Sequence, residues 1–416
     1  MTTWTERRTS DLIDGLRAGV SVRSISGEAG GPAVLKTSAI KAGRFDPRES
    51  KPILPADLPR AKCPVAADSI IISRMNTPAL VGDVGYVEKD FDSLFLPDRL
   101  WIARSKRGSG TDIRWLTYHF SSQAGARALR ELATGTSWSM KNIPKDKVLG
   151  LKVLTPTPPE QRAIADALTD AENLISSLER LIAKKQAIKQ GMVQQLLSGR
   201  TRLPGFGNPW REARLGHMGK TYGGLTGKSK QDFINGNARF VTFMQVMAKD
   251  RLTESGQGRV TVRPEERQNS VRKGDILFNG SSETPEEVAL AAAVEASLAE
   301  ETYLNSFCFG FRLNSDAEID PVYLARYFRS TIGRATVSTL AQGATRYNIS
   351  KTQLLKVWIE LPPLEEQQAI SSVISDADDE IETLKRRLES ARNIKQGMMQ
   401  ELLSGRIRLS VPEVSS

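Results

Sequence analysis

Histidine is nearly absent from this chain: 416 residues contain two, His119 and His217. Neither has another His, a Cys or a carboxylate at metal-ligand spacing, so no zinc site and no Ser/His/Asp triad is expected on them. His119, between Tyr118 and Phe120 in a helical pattern, reads as a packed side chain. Cysteine is equally scarce. Cys63 and Cys308 lie in different halves, which excludes a disulfide framework and a C-x-x-C site, and both read as packing residues. No apolar run approaches the ~18 residues a membrane-spanning helix needs; the longest candidate, "VALAAAVEASLAEE" at 288–301, is broken by Glu295. The opening "MTTWTERRTSDLIDGL" lacks the apolar core of a signal peptide, so a cytoplasmic location is expected.

Cofactor loops are missing too. "YGGLTGKS" matches the end of a phosphate-binding loop at Gly227, Lys228 and Ser229, but Tyr222 stands where the first Gly is required and no apolar strand precedes it. No G-x-G-x-x-G opens a helix after a strand. Glu49-Ser50-Lys51 has the carboxylate-x-lysine form of some metal-dependent nucleases, but no strand is expected around it. The expectation is a binder with no catalytic residues, no metal and no cofactor of its own. A nuclease or methyltransferase fused to recognition domains is the enzyme alternative, and a scaffold that only organises other proteins is a third reading.

Lys and Arg exceed Asp and Glu by 58 to 48, a net charge of +10. This is compatible with a polyanionic partner, although charge alone does not identify one. The length suits two to four domains.

The strongest signal is a repeat. "IKQGMVQQLLSGRTRL" at 188–203 returns as "IKQGMMQELLSGRIRL" at 394–409, an offset of 206. The same offset lays "PEQRAIADALTDAENLI" over "EEQQAISSVISDADDEI", and weaker echoes pair "WTERR" with "WREAR" and "SIII" with "DILF". Each half thus carries a ~45-residue segment that matches well, after ~150 residues that share only scattered anchors.

The matching segment reads as a long helix. Ile164, Leu168, Ala171, Ile175, Leu178 and Ile182 step by four and three, as do Ile370, Ile374, Ala377, Ile381, Leu384, Leu388 and Ala391. This is a coiled-coil seam. Lys185 interrupts the first copy, after which Ile188, Met192 and Leu196, or Ile394, Met398 and Leu402, are expected to resume it. Prolines followed by acidic residues mark the starts, and Ser-Gly at Gly199 and Gly405 marks the ends. The expected fold is mixed α+β (α/β), with two globular domains (1–157 and 204–361) and two spacer helices (158–203 and 362–409), then a tail at 410–416. Packed antiparallel, the helices would hold the domains apart about a pseudo-two-fold axis.

Strand-like runs are expected at 68–73, 80–87, 100–104 and 147–154, then at 258–263, 274–279, 307–313 and 356–361. Single helical stretches are expected at 116–133 and 322–341. The Ala-rich segment 286–301 is ambiguous between helix and hairpin. Loops rich in Lys, Arg and small polar residues recur in both halves, a composition that can neutralise phosphates and reach base edges. The candidate DNA contacts are Lys36, Lys41, Arg44, Arg74, Lys106 and Arg107, with Ser137, Trp138 and Asn142, in the first domain. In the second they are Lys220, Lys228, Lys230, Thr345, Arg346, Tyr347 and Asn348.

"LPPLEEQQAI" leading through a heptad helix into "IKQGMMQELLSGRIRL", with a degenerate mid-chain copy, resembles the specificity subunit of type I restriction-modification systems. "GATRYNIS", "FDP" at 45–47 and "LPDRLW" at 96–101 also look like that family's target-recognition domains. The resemblance spans residues 1–409. It implies that each variable domain reads one half of a split, asymmetric site on double-stranded DNA, while the helices fix the gap. It further implies two methyltransferase subunits, which bring S-adenosylmethionine, and restriction subunits, which bring ATP-driven translocation and Mg-dependent cleavage. None of that chemistry would belong to this chain.

Overall fold

The computed structural model describes residues 4–27, 30–135, 140–254, 256–298, 301–343 and 346–409. It divides into two compact units, one built from Met1–Glu179 with Arg386–Ser416 and the other from Arg180–Lys385. Each unit joins a mixed α/β body to parts of both long helices.

In the first unit, β1 (Ser69–Ser73) is buried along its whole length. It carries on into a short strand, β2 (Met75–Asn76). β3 (Val84–Val87) and β4 (Leu100–Arg104) flank β1 antiparallel, and Arg17–Ala18 pairs with β4 on its far edge. Helices α1 (Ile113–Ser121) and α2 (Gln123–Glu131) pack on this sheet. β5 (Lys141–Asn142) returns to pair with β2. Long helix α3 then runs Pro158–Leu197.

The second unit repeats this strand order with one added edge strand: Gly219–Gly223, β9 (Cys308–Leu313), β6 (Ile276–Asn279), β8 (Ala291–Val294) and, beyond β8, the extra Arg251–Leu252. β7 (Ser281–Ser282) pairs with β10 (Tyr347–Asn348) as β2 does with β5. Helices α4 (Pro321–Arg329) and α5 (Thr331–Ser338) cover the sheet, and α6 (Leu364–Leu402) closes the unit.

Three local differences from the sequence expectation have physical causes. Each single helical stretch is broken in two at a serine. Ser122 and Ser330 sit in extended backbone, and their hydroxyls accept from the N–H of Gly125 and Gly333, capping α2 and α5. A Cβ on either glycine would lie 2.0 Å from the carbonyl oxygen of His119, or 1.9 Å from that of Tyr327. Second, residues Lys145–Gly150 form a helix, so the strand expected at 147–154 is only Lys152–Thr155. Third, the ambiguous Ala-rich segment yields β8, whose four residues are all buried between neighbouring strands and helix α4. Tertiary packing outweighs the helix propensity of alanine there.

Candidate nucleic-acid interface

The long helices anchor each unit through one repeated junction. In the first unit, Arg408 donates two hydrogen bonds of 2.7 Å to Glu160, whose side chain is 4% exposed, while its guanidinium lies 5.9 Å over the Trp4 ring. In the second, Arg202 makes the pair with fully buried Glu366 at 2.6 Å and lies 5.7 Å over Trp210. These carboxylates raise the pKa of Arg408 and Arg202 through side-chain hydrogen bonds first. Gly405 and Gly199 end α6 and α3 at φ 73° and 68°, where the left-handed turn and a tryptophan ring 3.3 Å from an added Cβ both favour glycine. Gln161 and Gln367 accept from the backbone N–H of Asp112 and Asp320, both at 3.0 Å, tying the start of α3 and α6 to the N-caps of α1 and α4.

The helices pair antiparallel inside each unit. Glu160, Glu172 and Glu179 meet Arg408, Lys395 and Arg392 in the first, and Lys185, Lys189 and Arg202 meet Glu380, Asp378 and Glu366 in the second. Ile164, Leu168, Ile175, Leu178, Ile182, Ile370, Ile374, Ile381 and Leu384 are buried, and Leu388 is half-buried. Lys185 breaks the apolar seam because it pairs with Glu380 at 2.8 Å. The seam resumes at Leu196 and Leu402, each 4% exposed, with Met192 and Met398 partly buried against the same clusters, but it skips Ile188 and Ile394, which are 54% and 61% exposed. Their neighbours Lys189 and Lys395 face the partner helix instead, held by Asp378 and Glu172.

The β2/β5 and β7/β10 ribbons gather part of the candidate DNA contacts. In the first unit the Arg74 Nε donates to Asn142 Oδ1 at 3.2 Å, and its guanidinium lies 5.6 Å over Trp101. Asn142 also exchanges two backbone hydrogen bonds with Thr134. In the second unit Asn348 exchanges the same two with Gln342, and Arg346 and Tyr347 precede it on the ribbon. The backbone rule is shared: Ile143 and Ile349 donate to the carbonyls of Arg74 and Gly280, at 3.0 and 3.1 Å.

The other candidates are dispersed. Lys106 and Arg107 follow the end of β4 opposite the ribbon, and Lys106 donates to the Ser10 carbonyl at 3.0 Å. Lys36 faces Glu49 at 3.4 Å, exposed Lys41 lies on a small hairpin, and Arg44 on that hairpin approaches Glu172 at 4.0 Å. Lys220 and Lys230 are exposed on the strand and turn they occupy. Lys228 is turned inward: its side chain is 5% exposed, pairs with Glu266 and donates to the Thr261 carbonyl at 2.6 Å. Ser137, Trp138 and Thr345 lie outside the described residues.

A strand does form beside Glu49, since Ser50–Pro52 pairs with Ala33–Leu35; Glu49 itself accepts from the Ser38 hydroxyl and from Lys36, which in that order lower its pKa. His119 lies between Trp115 and Phe120, and burial pushes its pKa down to about 4, leaving it neutral at pH 7. Among the described residues, no His, Cys, Asp and Glu side chains cluster so as to hold a metal, and no helix is long and apolar enough to cross a membrane.

Sequence reasoning passed over Arg99, Met140 and Phe307, which stand beside the ribbons. The shared offset could have exposed them, but it changes from 206 to 208 after β6, as the strand registers of β4 and β9 reveal.

Residues 208–392 match the family described as type I restriction modification DNA specificity domain. A type I restriction enzyme specificity subunit of Methanocaldococcus jannaschii, MjaX, is 22% identical over 98% of this chain and 94% of its own length. The S subunit of a type I restriction-modification system from M. genitalium has a similar fold, with a TM-score of 0.56 and 16% identity over 96% of both chains. The HsdS subunit from Thermoanaerobacter tengcongensis gives 0.55 and 19% over 97% of both.

Proposed function

We propose, for a chain that belongs to the specificity subunits of type I restriction-modification systems, that each of its two units reads one half of a bipartite, asymmetric DNA site. Such a subunit is a DNA-recognition component, and catalysis lies elsewhere in the complex. The carrying observation is the ribbon that each unit presents on one backbone plan, with Arg74 and Asn142 in the first and Arg346, Tyr347 and Asn348 in the second. A shared plan with different side chains suits two readers of unlike sequences. Arg and Asn are suited to purine edges, and the remaining exposed lysines to phosphates.

The paired helices set the gap between half-sites and carry two methyltransferase subunits, because the repeated junction offers one partner two equivalent surfaces. Those subunits bring S-adenosylmethionine, and restriction subunits bring ATP and Mg. Co-purification with methyltransferase subunits followed by methylation-site sequencing tests this reading. Two short blocks separated by a fixed unread gap are expected, and an uninterrupted site would refute it. Arg346→Ala should relax preference in one block only; unchanged preference in both removes Arg346 from the readout.

A further inference from the structure

The two ribbons stand beside turns that share one frame. The carbonyl of Arg99 accepts from the Arg74 N–H at 3.0 Å, and the carbonyl of Phe307 accepts from the Gly280 N–H at 2.8 Å. One residue on, Leu100 faces Ser73 and Cys308 faces Asn279. Arg99 and Phe307 therefore occupy one structural position. Across the ribbon, Asn142 faces Met75 and Asn348 faces Ser281, so Met140 and Arg346 occupy another.

What these positions display is different. Phe307 is 56% exposed, and the Arg346 guanidinium lies 5.4 Å over its ring. Its turn is held firmly: Asn305 accepts from the N–H of Phe307 through its side chain at 2.9 Å and from that of Cys308 through its carbonyl at 3.0 Å. In the first unit the ring is replaced by the exposed cation Arg99, and the cation by Met140, which is 38% exposed.

We infer that this pair of positions makes the two units read DNA through different chemistry. Phe307, braced by Arg346, makes an apolar contact with a base in its half-site, and Arg99 makes an ionic contact from the equivalent place. This deepens the DNA-recognition reading and rests on it. A ring on a fixed turn finds apolar surface on a base as a thymine methyl or as the face of an unstacked step. A guanidinium in its place binds a phosphate.

The test uses the full chain with its co-purified subunits and a duplex carrying the site found by methylation sequencing, with affinity measured across a salt series. Phe307→Ala should weaken binding roughly 5- to 100-fold without changing the salt slope, since no counterion is released by an apolar contact. Phe307→Tyr should restore most of the loss. Arg99→Ala should weaken binding and reduce the slope by about one. Deoxyuridine in place of thymine should cost the wild type but not Phe307→Ala if the methyl is the contact, whereas 2-aminopurine fluorescence should rise with wild type alone if a step is unstacked. Wild-type affinity and preference in Phe307→Ala overturn the inference, as does a reduced slope in that variant or an unchanged slope in Arg99→Ala. Thermal melts report folding, and Phe307→Gln repeats the measurement if alanine disturbs the turn. A wild-type complex without sequence preference would instead overturn the DNA reading itself.

Discussion

At one place on the helix pair, the first unit holds a tyrosine and the second an arginine. Tyr118 donates to Glu172 at 2.8 Å, and Lys395 completes the cluster from α6. In the second unit Arg326, 3% exposed, reaches Asp250 at 2.7 Å, the Ser371 carbonyl at 2.6 Å and Asp378 at 3.3 Å, and Lys189 completes it from α3. Glu172 corresponds to Asp378 and Lys395 to Lys189 in the repeat, so the helical half of each cluster is kept while the domain half differs. The second unit extends the pattern with Arg329, which donates to the carbonyls of Val246, Met247, Lys249 and Ala291, and Arg334, which clasps those of Glu286 and Val288. At the corresponding positions the first unit has Ser121 and Ala126. The comparison teaches that the junction with the helices is conserved within the chain while each body uses its own chemistry to meet it.

The largest effect should come from Arg326→Ala, which strips a buried cation from two carboxylates. A loss of about 3–5 kcal/mol is expected, read by urea unfolding, with hydrogen exchange placing the damage in the second unit. A loss under about 1 kcal/mol would mean that the cluster is no better than a surface ion pair.

Glu160→Ala and Glu366→Ala should each destabilise the chain less than Arg326→Ala, since each removes a buried carboxylate while its arginine partner stays partly in solvent. Because the junction is repeated, the two losses should agree within about 0.5 kcal/mol. Unequal losses would break the symmetry inferred from the repeat.

His119 has no histidine counterpart, since Tyr327 takes its place in the second unit. Its folded pKa near 4 lies below the ordinary histidine value of 6.5. Between those values the unfolded chain binds a proton that the folded chain refuses, so this stability contribution is fully present above pH 6.5 and is lost as pH falls toward 4. The loss should be on the order of 3 kcal/mol, and His119→Phe should flatten that part of the pH curve in the first unit only. An unchanged curve would mean that the ring titrates normally.

The smallest change should be Tyr118→Phe, at about 1 kcal/mol, because it removes one hydroxyl and leaves Glu172 with Lys395. A cost as large as that of Arg326→Ala would erase the contrast between the units.

Local sequence pattern was enough to mark the long helices. Their periodic apolar residues, acidic starts and Ser-Gly ends are short-range signals, and the repeat placed them twice. The register of the ribbons was less legible. Met75 opposite Asn142 and Ser281 opposite Asn348 depend on pairings about 67 residues apart in the chain, which no short pattern encodes. The dispersal of the basic candidates was hidden for the same reason: Lys106 and Arg74 lie at opposite ends of the sheet although both follow strands in sequence.

The sequence by itself determined the duplication, the two helices and the apolar positions that bury between them, because helix formation and amphipathic spacing act over a few residues. Only the tertiary structure decided that Lys228 turns inward to Glu266, that Ile188 and Ile394 face outward, and that Arg99 and Phe307 share a position. Each of those outcomes depends on which distant side chain or carbonyl supplies the lowest-energy partner, and that choice exists only once the chain has closed on itself.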